Sequence, residues 1–279
     1  MAETDAVNGG VTEVHGGANG VVNDVVNDGT THFVYVYVAT PARWNELSIS
    51  VQSIRQNFRH PHKIFVVGDK PGIKDVIHIP VEQITGRGSK PKDAVRKLMA
   101  IATCDMINED FIYCYDDLIL LRPISPDWFK KRIAVEYIKD YSTFWKGAKG
   151  IIPDQGWRNL FMKTFAALTK RNQPTYNYET HLPRMMNRVQ ILETIRFFGR
   201  EVCEDALFSS LHYNLHFNNP DVLLKEDMRI KAACHRAYDR QERIIAELKG
   251  KTWLNYSDPA LNEIFKKTIT KILKGEIKV

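Results

Sequence analysis

Cysteine is scarce. The 279 residues hold four, Cys104, Cys114, Cys203 and Cys234, and no two stand at the C-x-x-C spacing of zinc or dithiol motifs. Reduced thiols and a fold without a disulfide frame are therefore expected. Long apolar runs are missing as well, since no stretch approaches the roughly 20 residues that cross a bilayer. The first residues are acidic and lack the apolar centre of a secretory signal, so the expected setting is cytoplasmic. Neither sign of charge dominates: 39 basic against 33 acidic side chains leave a net charge of +6. That excess suits anionic partners such as nucleotides, acidic glycans or nucleic acid, and says nothing of fold. It alone would suggest a non-enzymatic nucleic-acid-binding protein, but helix-turn-helix, zinc and RNP-type signatures are lacking.

What is present begins with order at residue 32. Residues 1–31 mix Gly, Asn, Asp and Val, with Val-Val-Asn-Asp at 21–24 repeated at 25–28, and read as a tail without chemistry. The run 32–38 alternates β-branched and aromatic residues and predicts a first strand. A polar loop with Thr40 and Arg43 follows, then a helix through Leu47, Val51, Ile54 and Phe58 at helical spacing. Backbone amides at such a helix start face an anion, which makes Thr40 and Arg43 candidates for nucleotide contact, beside the plainer reading of a turn and a surface charge. Strands are predicted at 63–67, ending in Gly68-Asp69, and at 76–79, and their alternation with helices predicts a largely parallel sheet. Asp69 is placed to meet a ribose or base, or simply to make a turn. Lys90, Lys92, Arg96 and Lys97 cluster around the start of a helix over 93–106, either to grip phosphates or as a solvated face.

The stretch that organises the chain is 110–123, DFIYCYDDLILLRP. Its apolar run reads as a buried central strand cut off by Asp116 and Asp117. Ligands sit outside the carboxyl ends of strands in open α/β sheets. Crowded oxygen donors there suit a divalent cation carrying a phosphorylated substrate, and an acidic turn is the alternative. Beyond residue 130 aromatic residues thicken (Tyr137, Tyr141, Phe144, Trp145, Trp157, Phe161, Phe165) and strands are hard to find. Helices are predicted over 154–169 and 189–198. Between them, the loop 176–186 carries His181 and Arg184 as a candidate acceptor-side wall, although a lone histidine also reads as a core residue. Glu204 and Asp205 open an apolar helix, either for its dipole or as a catalytic base. An edge strand over 225–233 leads to His235, a third metal ligand or a structural histidine. Residues 251–259 read as a turn and helix start, and 261–273 as the closing helix.

Three segments then carry a resemblance: 47–69, with the helix piece SVQSIR and a strand ending VVGD; 111–129, FIYCYDDLILLRPISPDWF; and 181–184, HLPR. Together they resemble glycosyltransferases of the GT-A fold, nearest the branch of Stealth-type capsular polysaccharide phosphotransferases. The resemblance implies an α/β, Rossmann-like fold whose mixed, largely parallel sheet is flanked by helices, with a helical C-terminal part. Residues 32–129 would form the nucleotide-sugar half and 130–279 the acceptor-side half of one domain. It further implies that Asp116 and Asp117 hold Mn²⁺ or Mg²⁺ against the donor diphosphate. By the same resemblance Thr40 and Arg43 would meet the nucleotide; from the residues themselves Asp69 and Lys97 are candidates to join them, Glu204 or Asp205 to serve as base, and His181 and Arg184 to line the acceptor. The family's acidic position two residues before the last Asp is Tyr115 here, as is the Stealth-type Asn. The expected activity is sugar transfer from a nucleotide sugar to a hydroxyl of a glycan or of a hydroxylated base in DNA, with sugar-phosphate transfer as the alternative.

Overall fold

The computed structural model describes residues 29–39, 44–86, 88–139 and 155–279. The tail over 1–28, Thr40, Arg43, Tyr141, Phe144 and Trp145 lie outside the described residues. The chain runs through β1 (Thr31–Tyr37), α1 (Glu46–Asn57), β2 (His62–Gly68), β3 (Ile77–Pro80), α2 (Ser89–Ala102), β4 (Asp110–Cys114) and β5 (Leu118–Leu120). A 3₁₀ turn at Pro126–Lys130 leads to the short strands β6 (Ile133–Ala134) and β7 (Glu136–Tyr137). Then come α3 (Gln155–Lys170), β8 (Tyr176–Asn177), β9 (Arg184–Asn187), α4 (Arg188–Phe198), α5 (Arg200–Cys203), α6 (Phe208–His216) and β10 (Val222–Leu223). β11 (Lys231–Cys234), α7 (Gln241–Leu248), β12 (Trp253–Tyr256) and α8 (Glu263–Leu273) complete it.

The central sheet has five strands in the order β3-β2-β1-β4-β9, with the first four parallel and β9 antiparallel to β4. Both faces are covered, which is why these strands read as continuous apolar runs. Phe33, Tyr35, Ile64, Val66 and Ile112 pack with Leu47, Val51 and Ile54 of α1. Val34, Phe65, Val67 and Phe111 pack on the other face with Val95, Leu98 and Ile101 of α2 and Ile191 of α4. The largely parallel sheet expected from the sequence is thus present, and α2 begins at Ser89, four residues before the expected start.

A second sheet, β11-β12-β5, was not visible in the sequence. β12 runs antiparallel to β5 and parallel to β11. The segment expected to be a turn over 251–259 therefore contains a fully buried strand, and the strand expected over 225–233 shrinks to Lys231–Cys234. Four-residue strands carry little periodic signal, so the pairing partner decides their state. Likewise the strands β6 to β9 occupy a region that sequence reading left nearly strandless. Ser53 and Asn57 of α1 bind β5 to the first layer: the Leu120 N–H donates to Ser53 Oγ (2.9 Å) and Asn57 Nδ2 to Leu120 O (2.8 Å).

At the carboxyl end of β2, Gly68 adopts φ +128°, and a Cβ there would lie 2.1 Å from the Tyr37 carbonyl oxygen. Only glycine tolerates that approach. Gly68→Ala is expected to lower stability by about 2 kcal/mol or more, measured by urea unfolding. An unchanged midpoint would mean that β1 and β2 do not close together as described.

Candidate functional site

β4 ends at Cys114, and Tyr115-Asp116-Asp117 carries the chain from the central sheet into β5. The acid pair thus lies at the carboxyl end of a parallel strand, at the junction of the two sheets. Burial raises the Asp116 pKa above the usual carboxylate value, and a backbone hydrogen bond and the Lys97 charge oppose it. Asp117 is pushed up to about 6, first by burial and then by Asp116. Asn255 on β12, itself buried, donates from Nδ2 to Asp117 Oδ2 at 2.9 Å and pulls the other way. Glu46, in the first turn of α1, is raised to about 7 by burial and by the charges of Asp116, Asp117 and Asp258. Negative charge is concentrated here beyond what the local dielectric favours, the condition in which a cation binds well.

The donor set fits a divalent cation in one particular way. Among the described residues no three His, Cys, Asp or Glu side chains are gathered as a ready metal cage. Mg²⁺ in phosphoryl and glycosyl sites commonly takes one or two carboxylates and fills its remaining positions with substrate phosphates and water, which Asp116 and Asp117 can satisfy. His235 does not complete the set as expected. It follows the last residue of β11, its Nδ1 lies 3.1 Å from Ser257 Oγ, and the side chain is exposed.

On the nucleotide side, Asp69 Oδ2 accepts from the Ala39 N–H at 2.8 Å, tying the ends of β1 and β2, and its charge bears on Tyr37 together with that of Asp116. Lys97 corrects the sequence reading. Its ammonium is fully buried and donates to Asp93 Oδ2 (2.6 Å) and Tyr37 O (3.0 Å), while Asp93 Oδ1 accepts from the Ile84 N–H (2.8 Å). A lysine so enclosed fixes α2, the segment before it and the end of β1, and acts on Asp116 through its field. It is not a surface grip on phosphate.

On the far side of β4 the segment between β8 and β9 folds over Tyr115. Arg184 is buried: Nη1 donates to Tyr178 O (2.7 Å), Nε to Leu182 O (3.4 Å) and Nη2 to Tyr115 Oη (3.3 Å). It supports the wall from behind instead of facing an acceptor. Lys231 Nζ donates to Thr180 O at 2.6 Å. Held between these two cations, His181 takes a left-handed backbone (φ +46°) and stacks on Tyr115 with ring centroids 5.2 Å apart. A non-glycine residue in that region stores strain, which surrounding bonds must offset. Burial, then Lys231 and Arg184, push the His181 pKa down to about 4, so its imidazole is neutral at pH 7. Burial lowers Lys231 to about 8, with Asp117 opposing.

Glu204 and Asp205 are placed elsewhere. Glu204 ends α5 and accepts from Arg200 Nε at 2.6 Å, Asp205 pairs with Lys163 of α3, and the apolar helix starts only at Phe208. The charges acting most on Asp116, Asp117 and His181 are others. Sequence reasoning missed Glu46, Asn255 and Lys231, which reach the acid pair only through the fold. Asn255 stands 138 positions from Asp117.

No family profile and no curated protein matches the chain. Among solved structures, the crystal structure of an active-site mutant of LgtC is similar with a TM-score of 0.45 and 11% identity, over 89% of this chain and 97% of that one. The apo structure of the bifunctional glycosyltransferase WbbM is similar with a TM-score of 0.48 and 11% identity, over 89% of this chain and 50% of that one.

The raised pKa of Asp117 has a consequence for stability. Its folded value lies above its unfolded one, so the ionised carboxylate destabilises the fold fully above about pH 6, and the penalty vanishes below the ordinary carboxylate value. Asp117→Asn, which can still accept from Asn255, is expected to stabilise the metal-free protein by on the order of 1 to 3 kcal/mol at pH 7.5. The gain should shrink as pH falls toward 4.5 in thermal unfolding. A variant less stable than the parent at pH 7.5 would contradict the desolvation of this group.

Proposed function

We propose that the chain is a glycosyltransferase that moves a sugar from a nucleotide-sugar donor to an acceptor hydroxyl, with Mn²⁺ or Mg²⁺ held by Asp116 and Asp117. The observation that carries this reading is the desolvated pair of consecutive carboxylates at the carboxyl end of β4, with the half-buried Lys231 beside it. A divalent cation bound there supplies the charge that neutralises a departing nucleoside diphosphate.

The residues of the chain divide the remaining work along the sheet edge. Asp69, at the shared end of β1 and β2, is the group for a ribose hydroxyl or base, and in this reading Thr40 and Arg43 complete the nucleotide side. Lys231 adds positive charge next to Asp117, in a site dry enough to make that charge count against a phosphate leaving group. Asn255 fixes the Asp117 carboxylate from behind. The stacked faces of His181 and Tyr115 offer an apolar platform beside β4 on which a sugar ring can rest. Arg184 and Lys231 keep that platform rigid through the carbonyls of Tyr178, Leu182 and Thr180.

A panel of nucleotide sugars tested by thermal shift, with and without Mn²⁺, checks the reading. One nucleotide series is expected to stabilise the protein only when the metal is present. Asp116→Ala combined with Asp117→Ala should abolish both that shift and turnover while the variant stays folded by circular dichroism. Full turnover in the folded double variant would end the proposal.

A further inference from the structure

Both members of the Glu204-Asp205 pair are engaged in ion pairs, with Arg200 and Lys163. Glu179 is differently placed. It precedes His181 by two residues in the segment that folds over Tyr115, and the charges of Glu179 and Asp117 both bear on the Tyr115 phenol. Its Oε1 takes both bonds from Ser210, the N–H at 3.2 Å and Oγ at 3.3 Å, on the first turn of α6. Oε2 takes no part in those two bonds, and the side chain is half-buried. One oxygen is thus anchored and the other unengaged among the described residues. The order along the carboxyl edge of the sheet is also informative. Asp69 follows β2, the acid pair follows β4, and Glu179 lies in the segment entering β9, the neighbour of β4 on the side away from β1. Nucleotide, diphosphate and acceptor hydroxyl fall in the same sequence.

We propose that Glu179 is the general base of the transfer, and that the reaction inverts the anomeric configuration; this rests on the glycosyltransferase reading above. Glu179 Oε2 takes the proton of the acceptor hydroxyl as the acceptor oxygen bonds to the anomeric carbon. The bond from that carbon to the diphosphate oxygen breaks, and its electron pair leaves on the diphosphate. The proton on Glu179 passes to water after the products depart. Burial raises the Glu179 pKa, which Arg184 and the Ser210 bonds oppose, in keeping with a carboxylate that accepts a proton more readily than an exposed one.

Glu179→Gln keeps the acceptor for Ser210 and removes the base. It is expected to lose about 10² to 10⁴ in kcat with donor KM and the Mn²⁺-dependent thermal shift retained. Glu179→Ala should regain part of the rate with added formate, a readout that a mere loss of helix anchoring would not show. NMR of the first product formed should show the inverted anomer. A Glu179→Gln enzyme at full kcat, a retained anomer, or a loss of kcat confined to Asp205→Asn would each overturn the inference while leaving sugar transfer standing. A wild-type protein that binds and turns over no nucleotide sugar overturns both.

Discussion

Two carboxylates on consecutive residues, turned into a space with little water, repel one another and resent their own burial. Everything around Asp116 and Asp117 bears on that cost. Asn255 donates to one of them, Lys97 acts on the other through its field, and Lys231 stands near Asp117 at the price of its own depressed pKa. The local balance still leaves both pKa values raised, and Glu46 raised with them. In such an arrangement any ligand that relieves the repulsion is favoured by the same amount.

The rigidity that this needs comes from two sheets meeting at one short segment. β4 is clamped between β1 and β9, and three residues later the chain is already paired with β12. Ser53 and Asn57 fasten β5 to α1, so the acid pair has fixed strands on either side. Gly68 and Lys97 close the ends of β1 and β2 beside it, and Arg184 and Lys231 hold the opposite wall. Positioning of this kind is what allows weak individual contacts to sum to a defined geometry.

The sequence disclosed the parts whose signal is local. Apolar runs covered on both faces announced β1, β2 and β4, and helical spacing announced α1, α3, α4 and α8. The acid pair stood out because it interrupts such a run. What escaped was set by distant pairing. Trp253-Leu254-Asn255-Tyr256 looks like a turn between polar segments until β5 and β11 supply its hydrogen bonds. Lys97 read as a phosphate contact or a solvated charge because neither Asp93 at its own helix start nor the Tyr37 carbonyl announces a buried pair. Glu204 and Asp205 looked like a helix opening, but a four-residue helix ends there and the next begins at Phe208. His235 directly follows the strand that carries Lys231, and its ring bonds Ser257.

The partnership of Asp117 with Asn255 has an effect on assembly. The acids leave the ribosome long before the asparagine that steadies them, because 138 positions separate the two. Until β12 slots between β5 and β11, Asp117 lacks that donor. A chain shortened before β12 thus loses the bond, and pairing across so long a separation costs loop-closure entropy before its contacts form.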